Sequence, residues 1–229
     1  MHSENDIFGS QNMLAALEYV HDAVVLLDSS ETVFFFPFDH KQKQPNECYE
    51  EILKKLTVLE FPVLFLSSVK SVLFEAKELS GEYNKTITSE IKQDDITLER
   101  VELNLTVNKD KTTQHLLVFS RNTEKGHRCS IGYAVNKDGN LVPIVRPAFC
   151  FFPTKEVTNL NFILQAPFLL TDSREGIKAG EKHNQELIQH LAQLAAECLP
   201  ILRDEKLIDD GLLDIIPYDP TKFSSSDDS

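Results

Sequence analysis

The sequence predicts an α+β fold in which a mixed sheet carries helices mainly on one face. Three observations predict it. Period-two alternation dominates from Ile96 onward, one long amphipathic helix pattern follows it, and a shorter strand and helix pattern precedes it.

Taken in order, residues 1–10 are polar and read as a frayed end. Met13, Leu14, Leu17, Val20, His21 and Val24 fall at helical spacing and predict a helix over 11–24. "ETVFFFPF" is a short apolar run closed by Pro37, the composition of a strand buried on both faces. In "PNECYEEILKKL", Pro45 and Asn46 start a helix, acidic residues fill its first turn, and Tyr49, Ile52, Leu53 and Leu56 share one side. That helix returns to a second apolar segment, Val69 to Phe74. The polar stretch that follows predicts a linker or a long hairpin, placed at 79–94.

"ITLERVELNLTV", "HLLVFSR" and "RCSIGYAV" read as antiparallel strands, the last followed by the turn signal "NKDGN". "AFCFFP" and "LNFILQAPFLL" predict two more buried strands. "EKHNQELIQHLAQLAAECLPILRD" predicts the longest helix, its stripe formed by Leu187, Ile188, Leu191, Leu194, Ala195, Cys198, Leu199 and Leu202. "DDGLLDII" predicts a short helix ending at Pro217, and the tail 217–229 is polar, acidic and expected to be disordered. The expected division is therefore 1–78, a linker over 79–94, a main domain over 95–216, and the tail.

Composition narrows the function. The chain of 229 residues has 41% hydrophobic residues, enough for a core. Its 36 acidic and 23 basic side chains give a net charge of -13, with no basic patch, which argues against nucleic acid or an anionic membrane as partner. Cys48, Cys129, Cys150 and Cys198 stand far apart, no secretory leader is recognisable, and the longest apolar runs fall far short of the roughly 20 residues a membrane span needs. A cytoplasmic location is expected.

Phosphate loops, dinucleotide fingerprints, zinc-helix motifs and nucleophile elbows are absent from the sequence. His183 and His190 lie two turns apart on one predicted helix without accompanying ligands, and read as ordinary surface histidines; no metal site is expected. The acid pairs Asp94-Asp95 and Asp209-Asp210 read as solvated loop or cap residues. "FLLTDSREGIK" is different, because an apolar run, Leu160 to Leu170, delivers a polar cluster shortly before a helix. Arg174 in that cluster is either a fixed cation suited to bidentate phosphate binding, or a surface residue that caps a helix or pairs with Asp172 or Glu175.

The segment "AFCFFPTKEVTNLNFILQAPFLLTDSREGI" with "HNQELIQHLAQLAAECLPILRD" resembles the region that follows the ATP-binding fold in sacsin-like and heat-shock-ninety-like ATPases. "TVFFFPF" and "YEEILKKLTVLEFPVLFLSSVKSVLFE" resemble the strand-helix-strand end of that family's nucleotide-binding domain. The resemblance covers roughly residues 30–78 and 114–216. It implies a transducer-like domain at 95–216 and a γ-phosphate contact for Arg174, with Ser173 and Glu175 in support. The family's E-x-x-x-N helix, D-x-G-x-G loop and glycine-rich lid have no counterpart here, so ATP and magnesium are expected only together with a preceding nucleotide-binding half.

Two functions follow as expectations. One is the C-terminal part of a chaperone-like ATPase module, coupling nucleotide state in a preceding domain to an unidentified protein client. The other is a non-enzymatic scaffold or interaction domain that keeps the fold without the chemistry. In either case the chain alone is expected to hold no cofactor and to be inactive, either as a piece of a longer protein or as a degenerate relative.

Overall fold

The computed structural model describes residues 42–216 apart from 60, 78 and 209. The helix predicted over 11–24, the strand "ETVFFFPF" and the acidic tail lie outside the described residues. The chain divides into two compact units, Met1–Lys55 and Leu56–Ser229.

Helix α1 (Pro45–Leu56) spans the predicted segment. Proline suits the first helical position because its missing N–H would have no partner there. The Gln44 N–H donates to the Glu47 carboxylate at 3.1 Å, and Lys54 and Lys55 sit in the last turn, where the helix dipole favours cations.

The second unit is built on a nine-stranded mixed sheet. Its strands are β1 (Ser71–Glu75), β2 (Ser80–Gln93), β3 (Ile96–Val107), β4 (Asp110–Asn122), β5 (Arg128–Val135), β6 (Leu141–Val142), β7 (Pro147–Cys150), β8 (Phe152–Val157) and β9 (Ile163–Gln165). The order is β1-β2-β3-β4-β5-β9-β7-β8, with β6 paired to β5. Every pairing is antiparallel except β7 with β9. Two helices complete the unit, α2 (Lys182–Asp204) and α3 (Gly211–Ile215).

Alternation along the strands divides the core in two. On one face Leu98, Leu117, Phe119, Ile131 and Tyr133 pack with Leu187, Leu191, Leu194, Cys198 and Leu202 of α2 and with Leu212 and Ile215 of α3. On the other, Val101, Leu103, Leu116, Val118 and Ile163 pack with Phe149 and with the segment carrying Phe61, Val63 and Leu64. That segment is fastened by Lys85, whose ammonium donates to the Leu64 carbonyl at 3.2 Å and to the Leu66 carbonyl at 2.5 Å. Burial holds the Lys85 pKa below its ordinary value. Also on this face the buried hydroxyls of Ser120 and Ser130 meet at 2.8 Å, and Arg128 donates to Ser120 Oγ and to the Glu99 carboxylate, each at 3.0 Å.

Several sequence expectations change. Of the two expectations for the polar stretch at 79–94, the linker is replaced and the long hairpin is found: the stretch is β2, the first arm of a hairpin with β3. Its outer half is exposed on both faces, so it carries little hydrophobic signal, and neighbouring strands hold it by backbone pairing. The apolar segment Val69 to Phe74, expected to close a strand-helix-strand unit, contributes to β1 and pairs antiparallel with β2. "AFCFFP" is not one buried strand. The chain reverses at Phe151, whose φ is 65°, so Phe149 is buried while Phe151 and Phe152 are exposed. Leu160 to Leu170 is not one long strand either: β9 ends at Gln165, because Pro167 has no N–H to continue a ladder and the Phe168 N–H turns back to the Ala166 carbonyl at 2.8 Å. In α2 the predicted stripe was too wide, since Ile188 is 54% exposed. The turn signal "NKDGN" is a turn: Gly139 has φ 90° and the Asn136 side chain accepts from the N–H groups of Asp138 and Asn140.

Gly81 of β2 lies between Phe74 of β1 and Val107 of β3, and a Cβ there would lie 2.3 Å from the Phe74 ring and 2.5 Å from the Thr106 carbonyl oxygen. Gly81→Ala should therefore lower stability by about 1–3 kcal/mol through overpacking. Chemical denaturation checks this, and an unchanged midpoint would mean that Phe74 swings aside freely.

Candidate functional site

The cluster at 171–176 is a short loop pinned on three sides. Its base is a single antiparallel bridge, Leu170 with Ile177, extended by the bonds Thr171 N–H to Gly176 O at 2.9 Å and Lys178 N–H to Leu169 O at 2.9 Å. Within the loop the Arg174 N–H donates to the Thr171 carbonyl at 2.8 Å, the Gly176 N–H donates to Thr171 Oγ1 at 3.2 Å, and the Thr171 and Ser173 hydroxyls lie 3.2 Å apart. Threonine and serine favour such turns because their hydroxyls compete for nearby backbone groups.

From one side α2 anchors it. Asn184, buried in the first turn of α2, accepts from the Leu169 N–H at 2.8 Å and donates to the carbonyls of Leu169 and Lys178 at 3.0 and 2.9 Å. From the other side β8 anchors it. The Lys155 N–H donates to the Glu175 carbonyl at 2.5 Å, and the Lys155 ammonium pairs with the Glu175 carboxylate at 2.6 Å.

Arg174 occupies the tip with φ 58°, a left-handed conformation that L-residues adopt at a cost. Its side chain is exposed, and among the described residues no carboxylate pairs with its guanidinium. Glu175 is engaged by Lys155, while Asp172 faces solvent 4.0 Å from Lys178. Ser173 is exposed at the same tip. The arrangement presents an open guanidinium fork on a braced backbone, which suits two oxygens of a phosphate or carboxylate. It contains no nucleophile with an adjacent base.

The three predicted residues, Ser173, Arg174 and Glu175, thus share one turn, and Glu175 serves to fasten it. Sequence reasoning missed Lys155 and Asn184, whose roles come from contacts remote in sequence. Asn in the first turn of a helix, next to an unsatisfied loop, was the available signal for the second. Asn184→Ala should cost about 1–3 kcal/mol by leaving the Leu169 N–H and two carbonyls without partners. Thermal melting would show it, with faster amide exchange at Leu169; unchanged exchange would mean that the loop holds itself.

His183 is half-buried, with Nε2 3.2 Å from the Pro167 carbonyl and its ring edge-on to His127 at 5.1 Å, so it is not a plain surface histidine. Among the described residues no group of three or more His, Cys, Asp or Glu side chains is placed to hold a metal ion. No helix among them is long and apolar enough to cross a membrane. Burial pushes the Cys129 thiol up to about 11 and raises Cys198 further, so both are inert core thiols. No protein-family model, curated protein or solved structure matches the chain.

Proposed function

We propose that this chain is the phosphate-sensing part of a heat-shock-ninety-like or sacsin-like ATPase module. The observation that carries the reading is Arg174: an exposed guanidinium without an ion-pair partner among the described residues, held at the tip of a loop braced by α2 and β8. An arginine kept for surface pairing would be expected to use the carboxylates beside it, yet Glu175 pairs with Lys155, and Asp172, open to solvent 4.0 Å from Lys178, is left unused by Arg174. The fork fits the oxygens of a terminal phosphate presented by a preceding nucleotide-binding domain. There it would stabilise charge on the transferring phosphoryl group and report the nucleotide state to the sheet, and so to a protein client. Adenine and magnesium contacts would belong to that other domain. A cytoplasmic setting is part of the same proposal, supported by four free thiols.

The test is hydrolysis measured with the chain alone and with a nucleotide-binding domain of the same family joined ahead of it. The chain alone should show no turnover, the joined form should hydrolyse ATP, and Arg174→Ala should slow it. Turnover by the isolated chain that survives Arg174→Ala would sink the proposal.

A further inference from the structure

A half-open cavity of about 560 Å³ lies between α2 and the sheet, within the size range of small-molecule sites. Its walls are apolar: Phe162 and Leu164 on one side, Ala192, Ala195 and Leu199 on the other. The alanines leave the space open, since longer side chains at those positions would fill it. Among the described residues, Glu156 is the only charged one in the lining. Thr158 also lines the cavity, but its hydroxyl is used, donating to the Arg146 carbonyl and accepting from the Leu160 N–H, each at 3.2 Å.

Tyr133 is the exception. It lines the cavity at 3% exposure, its ring wedged against Phe119 and Phe162, and its hydroxyl has no hydrogen-bond partner among the described residues. The ring is buried but the hydroxyl is not among the enclosed atoms left without a partner, so a molecule in the cavity can reach it as an unused donor. Burial holds its pKa well above the ordinary range, so it stays a donor at any physiological pH.

We propose that this cavity binds a small, neutral, mainly apolar molecule carrying one hydrogen-bond acceptor, the acceptor resting on the Tyr133 hydroxyl and the hydrocarbon body along Ala192, Ala195 and Leu199. Charge decides against an anion. Glu156 stands in the lining and the chain carries a net charge of -13, so a carboxylate-headed lipid would be repelled and a neutral amide, ester or ketone accepted. The inference is independent of Arg174.

Displacement of the neutral fluorescent reporter N-phenyl-1-naphthylamine from the full chain tests it, with octanamide, octanoate and butylbenzene as competitors. Octanamide should displace the reporter, and octanoate should be at least about tenfold weaker, since its charge must be desolvated. Tyr133→Phe keeps the packing and should weaken octanamide about threefold to tenfold while leaving butylbenzene unchanged. Ala195→Phe should fill the space and abolish reporter binding. Four results overturn the proposal: octanoate as effective as octanamide, a Tyr133→Phe loss equal for butylbenzene, reporter binding only after the chain is shortened to end at Ile216, or binding that vanishes as the chain self-associates. The third would make the chain's own C-terminal residues the occupant, and the fourth a second copy.

Discussion

Leu194→Asp is expected to unfold the second unit. Leu194 is fully buried in the middle of α2, packed in the cluster shared with Phe119, Ile131 and Tyr133. An aspartate there would either carry an unpaired charge into an apolar interior or stay protonated with its polar atoms unsatisfied, while the leucine's packing is lost in both cases. The combined cost is above about 4 kcal/mol, a large share of the 5–15 kcal/mol that separates folded from unfolded domains. Leu191→Asp should be milder, because Leu191 borders the cavity where water can reach a carboxylate. Gln189→Asp, on the exposed face of the same helix, is the control. Circular dichroism melts should show no cooperative transition for Leu194→Asp and a near-native one for the control. Equal melting temperatures for all three would mean that α2 does not pack on the sheet.

The second large effect is expected at Arg174, in the module that joins this chain to a nucleotide-binding domain. Arg174→Ala should leave ATP affinity nearly unchanged, because on the proposed reading the adenine and magnesium contacts would belong to the joined domain. Hydrolysis should slow by about 10-fold to 1,000-fold, the range for loss of one charge-stabilising donor. Arg174→Lys should recover part of the rate, since a point charge cannot reproduce the guanidinium fork. The left-handed backbone supplies a further control. Glycine adopts φ near 58° without steric cost, so Arg174→Gly keeps the turn and removes only the side chain. If Arg174→Gly is as slow as Arg174→Ala yet melts no lower than the parent, the loss belongs to the guanidinium. Full activity in both variants would reduce Arg174 to a solvated surface residue.

Much of this was legible in the sequence, for local reasons. Strands β3 and β5 were read with their bounds, because in β3 buried apolar residues alternate with half-buried ones and state their own period, and β5 runs straight into the turn at 136–140. The apolar stripe of α2 was read too, though Ile188 turned out to border a cavity and not the core. What was not legible came from pairing. β2 is polar and takes its conformation from β1 and β3, and "LNFILQAPFLL" looked like one strand because Phe162, Ala166, Phe168 and Leu170 pack in the same core although the ladder ends at Gln165. At the candidate site the polar cluster announced itself, whereas Lys155, which braces it from β8, carries no mark that one sequence displays, and Asn184 offered only its place in the first turn of α2.

The pair of serine hydroxyls between β4 and β5 bears on how the sheet avoids misassembly. Shifting β4 by one position would turn Phe119 and Leu117 away from α2 and carry Ser120 off Ser130 and Arg128 into the apolar layer under α2, where its hydroxyl has no partner. A shift by two would keep the faces correct and still separate the hydroxyls. Hydrophobic alternation alone cannot distinguish the native alignment from that second error; the hydroxyl pair can. Ser120→Ala with Ser130→Ala should therefore cost little equilibrium stability, yet let misaligned chains accumulate during refolding as a slow phase that the parent lacks.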